Sequence, residues 1–242
     1  MYSLTKNLIS LFALFLVVSC SKDNNQDTNF VLTGNIKGMK TGKLYIEKLE
    51  DSTFVVVDSI EFNGKSTFES RLKIESPQML YLFLDRGASN SIDNSLFVFA
   101  EPGKMTLETN LDLFYKDAQV TGSENHELYS QYKKMMEPFA VKKAELYGEE
   151  IKARKLERPQ NVIDSISVEH QKLVSRQYLR AVNFALNNKE FEIAPYIAVF
   201  EINDINKKYL DTIYNSIVPE VSDSKYGKML KTLIEDRNKS EE

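Results

Sequence analysis

The sequence predicts an α+β protein, in which an N-terminal antiparallel β-sandwich or open barrel is followed by an all-helical C-terminal segment. From Phe30 to about Gly122, short runs of β-branched and aromatic residues alternate with turn residues. After Gly122 the apolar residues recur at the spacing of a helix. Because no helical stretch lies between the strands to form a crossover, we expect every strand pair to be antiparallel.

Short apolar runs mark the candidate strands. They occupy residues 30–33, 43–47, 54–60, 67–74, 79–84, 96–99, 105–108 and 119–121. The clearest turn signal between them is Asn63-Gly64, because both central residues of a type I′ turn need a positive φ and this pair tolerates it. We therefore predict a β-hairpin at this position.

Helices fill the second half of the chain. Ser123 is a suitable N-cap for the first helix, which should run to about Gly148 and bend at Pro138. The remaining helices are predicted at about 161–187, 194–202, 205–217 and 224–237. The order of strands first and helices second indicates an α+β fold or two abutting domains.

The charge balance argues against nucleic acid as a partner. The 242 residues include 31 Lys and Arg against 35 Asp and Glu, so the net charge is −4. No basic surplus exists to neutralise a phosphate backbone.

The N-terminus has the features of an export signal. Lys6 precedes an apolar run at residues 8–18, which is too short for a bilayer that needs about 20 apolar residues in a helix. The segment Leu16-Val17-Val18-Ser19-Cys20 resembles the lipobox of bacterial lipoproteins, and this resemblance implies that Cys20 is the lipid attachment residue. The alternative is an ordinary signal peptide cleaved nearby, with Cys20 as an accidental thiol.

These features divide the chain into four parts. They are a signal peptide at 1–19, a lipidated flexible tether at 20–29, a β domain at 30–122 and a helical segment at 123–242. Two or three acyl chains on Cys20 hold a protein on a bilayer, whereas one chain binds only marginally. We therefore expect the protein in the cell envelope, anchored by its lipid to the outer membrane, on the periplasmic face or at the cell surface.

Five short motifs in the β domain carry a resemblance to a known family. They are Phe30-x-Leu32-x-Gly34-x-Ile36, Gly42-x-Leu44-Tyr45-Ile46, Val57-Asp58-Ser59-Ile60-x-Phe62-Asn63-Gly64-Lys65-x-x-Phe68, Phe97-x-Phe99-Ala100-Glu101-Pro102-Gly103 and Val120-Thr121-Gly122-Ser123-x-Asn125. Their order resembles the domain of unknown function 4369, a module typical of Bacteroidetes lipoproteins. The resemblance implies a fold and a location, but the module has no assigned reaction.

The same relatives join this module to a thioredoxin-like domain through a helical segment. That domain carries a Cys-x-x-Cys pair, whereas this sequence contains a single cysteine. Because dithiol exchange needs two sulfur atoms, we expect no thiol-disulfide chemistry within this chain and no thioredoxin-like domain in it.

The remaining polar residues predict no catalytic, cofactor-binding or metal-binding site. His126 and His170 are too far apart in sequence for a zinc motif, and we expect both to have structural roles. Gly64-Lys65-Ser66 resembles the end of a phosphate-binding loop, but position 59 is Ser where that loop needs Gly, so we expect a turn. The 12 Tyr and 14 Phe could build a glycan-binding platform, but a sandwich core uses as many, and we expect the aromatic residues to fill the core.

The sequence therefore favours a non-catalytic, membrane-anchored lipoprotein that serves as a binding or assembly module in the bacterial cell envelope. Its expected partners are the membrane, through the lipid, and an envelope protein. Two alternatives stay open. One is an accessory partner that acts in trans with a thioredoxin-like oxidoreductase, and the other is a hydrolase with an unrecognised site. The oligomeric state is also open.

Overall fold

The computed structural model describes residues 28–50, 52–87 and 92–241, and it confirms the predicted fold class. In these residues the strands come first: β1 (Phe30–Lys37), β2 (Thr41–Glu50), β3 (Thr53–Asn63), β4 (Thr67–Leu72), β5 (Gln78–Asp85), β6 (Ser95–Ala100), β7 (Gly103–Asn110) and β8 (Gln119–Thr121). The helices follow: α1 (Glu124–Lys155), α2 (Gln160–Asn187), α3 (Ile193–Phe200), α4 (Lys207–Ser216), α5 (Pro219–Ser222) and α6 (Lys225–Glu241). All the candidate strands are present, most of them longer than the apolar run that predicted them. Cys20 and the signal peptide lie outside the described residues.

The strands form two sheets that face each other across one hydrophobic core. The first sheet has the order β4-β1-β7-β8, and the second has the order β3-β2-β5-β6. Alternate residues of each strand point inward, as the period of two requires. In the second sheet Leu80, Leu82 and Leu84 of β5 are fully buried, and in the first sheet Phe30 and Leu32 of β1 are fully buried.

One strand pair shows that the prediction of an all-antiparallel sheet was wrong. β1 and β7 run parallel, with Phe30 opposite Gly103 and Lys37 opposite Asn110. The prediction assumed that only a helix could carry the chain between parallel neighbours. Here the strands between β1 and β7 in the sequence make that crossover, because they carry the chain through the second sheet and back.

The hairpin predicted at Asn63-Gly64 was also wrong. β3 and β4, which flank this turn, belong to different sheets, and only Gly64 of the pair has a positive φ, of 83°. The turn carries the chain from one sheet to the other, and it is fixed by the Gly64 amide N–H, which donates to the Lys40 carbonyl at 2.7 Å. A tight β-hairpin connects β2 to β3 instead, with Ser52 at φ 73°.

Helix α1 is longer than predicted. It continues without interruption through Pro138 and past Gly148, where glycine costs only about 1 kcal/mol relative to alanine. It ends where Glu157 takes a left-handed φ of 50° and the Arg158 amide N–H donates to the Ala153 carbonyl. This bond pattern is that of a Schellman cap, which needs no glycine when another residue accepts the left-handed conformation.

The helical segment packs on the outer face of the second sheet. Met79 of β5 and Phe99 of β6 point away from the sandwich core and into a second core, which they share with Tyr129, Tyr196 and Tyr226 from three helices. The ring of Phe99 lies edge-on to those of Tyr196 and Tyr226, at centroid distances of 5.4 Å and 5.8 Å. The helices are therefore joined to the second sheet through a hydrophobic core that is separate from the core of the sandwich.

Candidate functional site

The outer face of the second sheet has a closed end and an open end. The closed end lies under the helices and contains Met79 and Phe99. Tyr81 follows Met79 by two residues on β5, and Phe97 precedes Phe99 by two residues on β6. Both side chains remain partly accessible to solvent. The sheet thus presents one aromatic surface, of which the helices cover only one part.

The closed end is fixed by the first turn of α1. The Ser123 hydroxyl donates to the carbonyl oxygen of Phe99 at 2.8 Å and accepts from the amide N–H of His126 at 2.9 Å. His126 Nδ1 in turn accepts from the amide N–H of Phe99 at 3.1 Å. Because β6 is the last strand of its sheet, these two bonds satisfy polar backbone groups that an edge strand would otherwise leave unpaired.

A second polar cluster ties the end of β6 to α1 and α3. The Asn125 amide nitrogen donates to a carboxylate oxygen of Glu101 and to one of Glu192, each at 3.0 Å. The Asn125 side-chain oxygen accepts from the amide N–H of Ile193 at 2.9 Å, and Glu101 also accepts from the amide N–H of Glu124. Burial raises the pKa of Glu192, and the neighbouring Glu101 carboxylate adds to this effect. These residues hold each other in place, and Glu101 and Asn125 belong to the motifs that carry the family resemblance.

His126 is a buried structural residue in this arrangement. Its Nδ1 lone pair is occupied by the Phe99 N–H, so the imidazole is neutral with its proton on Nε2. Burial lowers the pKa of His126 from 6.5 to about 4. A lone pair engaged in this way is not free to accept a substrate proton.

The structure does not bring the other candidate polar residues together. His126 lies in the first turn of α1, whereas His170 is half-buried in α2, nearer the loop that joins the two helices. Gly64-Lys65-Ser66 lies in the turn between the two sheets. Among the described residues, no group of three or more His, Cys, Asp or Glu side chains could hold a metal ion. No helix in the described ranges is both long enough and apolar enough to span a membrane.

The open end of the sheet is an aromatic surface. One row of side chains crosses all four strands of the second sheet, in the order Val56, Glu47, Tyr81 and Phe97. Phe54 packs edge-on against Tyr81 at a centroid distance of 4.8 Å, and Phe97 does so from the other side at 5.2 Å. We call Phe54, Val56, Tyr81 and Phe97 the aromatic face.

The aromatic face is open to solvent at the edge of the sheet. Phe54 is 55% exposed, Val56 is 51% exposed and Phe97 is 38% exposed. Within the described residues β3 pairs only with β2, so the other side of β3 offers its backbone groups to a further strand. The run Phe54-Val55-Val56-Val57 contains no lysine or proline of the kind that blunts most edge strands.

Sequence reasoning assigned these aromatic residues to the core and missed the surface. The available signal was the unbroken apolar run at residues 54–57. In a strand with one solvated face, apolar and polar residues alternate, so four successive apolar residues mean that both faces are apolar. At the edge of a sheet, such a strand exposes one of its apolar faces.

The buried histidine makes the stability of the protein depend on pH. Unfolded His126 titrates near 6.5, so between that pH and about 4 the unfolded chain binds more protons than the folded one. The free energy of unfolding should therefore fall as the pH drops from about 6.5 to about 4. A shift of this size corresponds to about 3 kcal/mol, at 1.36 kcal/mol per pKa unit.

The variant His126→Asn isolates this effect, because the Asn oxygen can accept from the Phe99 N–H but does not titrate. We expect urea denaturation at a series of pH values to show the wild-type protein losing up to about 3 kcal/mol more than the variant over this range. Glu192 has a raised pKa and acts in the opposite direction, but it is present in both proteins and cancels in the difference. Parallel pH profiles for the two proteins would contradict the assignment.

A comparison with protein families agrees with the family resemblance found in the N-terminal part of the chain. Residues 30–129 match the family model described as "Domain of unknown function (DUF4369)". No curated protein matches the chain. The matched region contains every described strand and the first turn of α1, so it includes both the joint around Phe99 and the aromatic face. Residues 30–129 are thus similar to DUF4369, in agreement with the resemblance that the five motifs indicate.

Proposed function

We propose that the protein is a non-catalytic, lipid-anchored binding module of the bacterial cell envelope, and that the aromatic face with the open edge of β3 binds a partner protein. The observation that carries this proposal is the exposed aromatic row across the second sheet. In the same two strands Met79 and Phe99, each two positions away from this row, are buried by the helices.

The aromatic face has the composition of an interface core. Aromatic side chains dominate the centres of protein interfaces, and charged residues are depleted there. Edge-to-face packing holds the three rings against each other, so binding costs them little side-chain entropy. A charged residue, Glu47, lies within the row, between Val56 and Tyr81. A mainly apolar surface with a charged group in it fits a protein partner.

The open edge of β3 suggests how that partner binds. An extended segment can add to an exposed edge strand, so that main-chain hydrogen bonds supply affinity and pockets for alternate side chains supply specificity. The first half of β3 is free for this, since Phe54, Val55 and Val56 are all at least one-third exposed. The second half lies closer to the first sheet, where the Ser70 hydroxyl donates to the Asp58 carboxylate at 2.5 Å. We therefore propose an extended partner segment along residues 53–57.

The absence of catalysis is part of the proposal. It is supported by the way in which the buried polar groups are used. The Nδ1 of His126 is occupied by the Phe99 amide, and the Asn125 side chain is shared between Glu101 and Glu192. Each of these groups is committed to holding the helices on the sheet.

The binding surface can be tested by photo-crosslinking in the cells that make the protein. We would replace Phe54 with photoreactive benzoylphenylalanine, with Leu179 on α2 as the control position because it is also exposed, at 44%. We expect a discrete adduct with a protein partner from position 54, and none of that mass from position 179. Adding Val56→Lys, which places a charge in the proposed interface, should remove the adduct without changing the circular dichroism spectrum. An adduct that persists in the Val56→Lys variant, or no adduct from position 54, would refute the proposed surface.

The lipid anchor is tested separately, through Cys20. In a detergent phase separation of intact cells, we expect the wild-type protein in the detergent phase and Cys20→Ser in the aqueous phase, because the acyl chains supply the membrane affinity. Ser21→Ala is the matched control and should partition like the wild type. Recovery of the wild-type protein from the aqueous phase, or of a free thiol at Cys20, would exclude the anchor.

A further inference from the structure

The N-terminal half of α1 is its near half, next to the sheet, and the C-terminal half is its far half. The far half exposes apolar residues on the side away from the rest of the protein. In the near half, Tyr129, Tyr132 and Met136 are buried in the shared core. In the far half only Leu146 and Ala153 are buried. Both point towards α2, the helix with which α1 forms an antiparallel pair. Residues on the opposite side of this half of α1, among them Val141 and Ile151, are exposed.

Those residues form a continuous stripe, which we call the outer stripe. Val141, Ala144, Gly148 and Ile151 follow the spacing i, i+3, i+7 and i+10 of a coiled-coil seam, and Tyr147 lies beside them. Since each residue turns a helix by about 100°, Leu146 lies about 160° around the helix from Ala144, so the stripe faces away from α2. Val141 is 54% exposed, Tyr147 is 65% exposed and Ile151 is 49% exposed.

We propose that the outer stripe pairs α1 with α1 of a second copy of this chain, in an antiparallel arrangement. The stripe is self-complementary: when two antiparallel copies are aligned at the level of Leu146, the apolar residues of one copy meet those of the other. In that register Val141 lies opposite Ile151 of the second copy, and Ala144 lies opposite Gly148. The two small residues at the centre let the helix axes approach closely, and the larger residues pack on either side. A two-fold pair needs such a self-complementary surface.

The charges at the ends of the stripe favour this direction. Glu137 continues the stripe at one end and Lys155 at the other, and both are exposed. Antiparallel pairing places Glu137 of one copy opposite Lys155 of the other at both ends, whereas parallel pairing places like charges together. Glu145 lies near the two-fold axis, where the Lys142 ammonium of its own helix, 2.9 Å away, compensates its charge.

Disulfide trapping of the full chain in membranes tests both the contact and its direction. Two differently tagged copies, one with Val141→Cys and one with Ile151→Cys, are produced together and exposed to a mild oxidant. We expect a disulfide between the two tags and none when either variant is produced alone, because residues 141 of the two copies are separated by about 15 Å at 1.5 Å per residue. The control pair, Val162→Cys with Val168→Cys on α2, should give no product. Crosslinking of Val141→Cys to itself, or no disulfide between the two tags, would overturn the proposal.

Exchanging the charges at the ends of the stripe provides an independent check of the antiparallel register in the same cells. Glu137→Lys should reduce the yield of the disulfide between positions 141 and 151, since it places two basic residues opposite each other at both ends. Adding Lys155→Glu should restore the yield, because the pair is then reversed but again complementary. A yield that does not respond to either change would contradict the antiparallel register.

Discussion

Phe99 is the point at which the two halves of this molecule are held together. Its ring packs against Tyr196 and Tyr226, its amide N–H donates to His126, and its carbonyl oxygen accepts from Ser123. Aromatic contacts of this kind contribute about 0.5–1.5 kcal/mol each beyond the area they bury. An unpaired buried backbone group costs about 1–3 kcal/mol. Loss of the first turn of α1 would therefore expose both the ring and the edge of the sheet.

The docking of α1 on the β6 edge explains why the candidate binding surface lies at the β3 edge of the same sheet. The second sheet has two edge strands, β6 and β3. The first turn of α1 covers part of the β6 edge, and within the described residues nothing covers the first half of β3. Because the helices bury Met79 and Phe99 but cover Tyr81 only in part, the next row of the same surface stays partly accessible to solvent. A fold that must close one edge of its sheet thus leaves the opposite edge available for a partner.

Local patterns predicted the elements of this fold, but not the contacts between distant parts of the chain. The alternating runs identified the strands, and Ser123 was correctly identified as the N-cap of α1. Nothing local indicates that its hydroxyl also donates to Phe99, because that bond depends on how α1 docks on the sheet. The parallel pairing of β1 with β7 was missed for the same reason. The aromatic face was assigned to the core because Phe54, Tyr81 and Phe97 look like core residues until the extent of the helical cover is known.

The central claim is that the sandwich and the helical segment unfold as one unit, because they share the core around Phe99. Native-state hydrogen exchange at increasing denaturant tests this most directly, since it gives an opening free energy for each amide. The account predicts that the amides of Met79 and Phe99 and those in the middle of α3 and α6 exchange only by global unfolding, with the same free energy. If α3 and α6 instead opened at a clearly lower free energy while the amides of β5 and β6 stayed protected, the two halves would be independent and the account would be wrong.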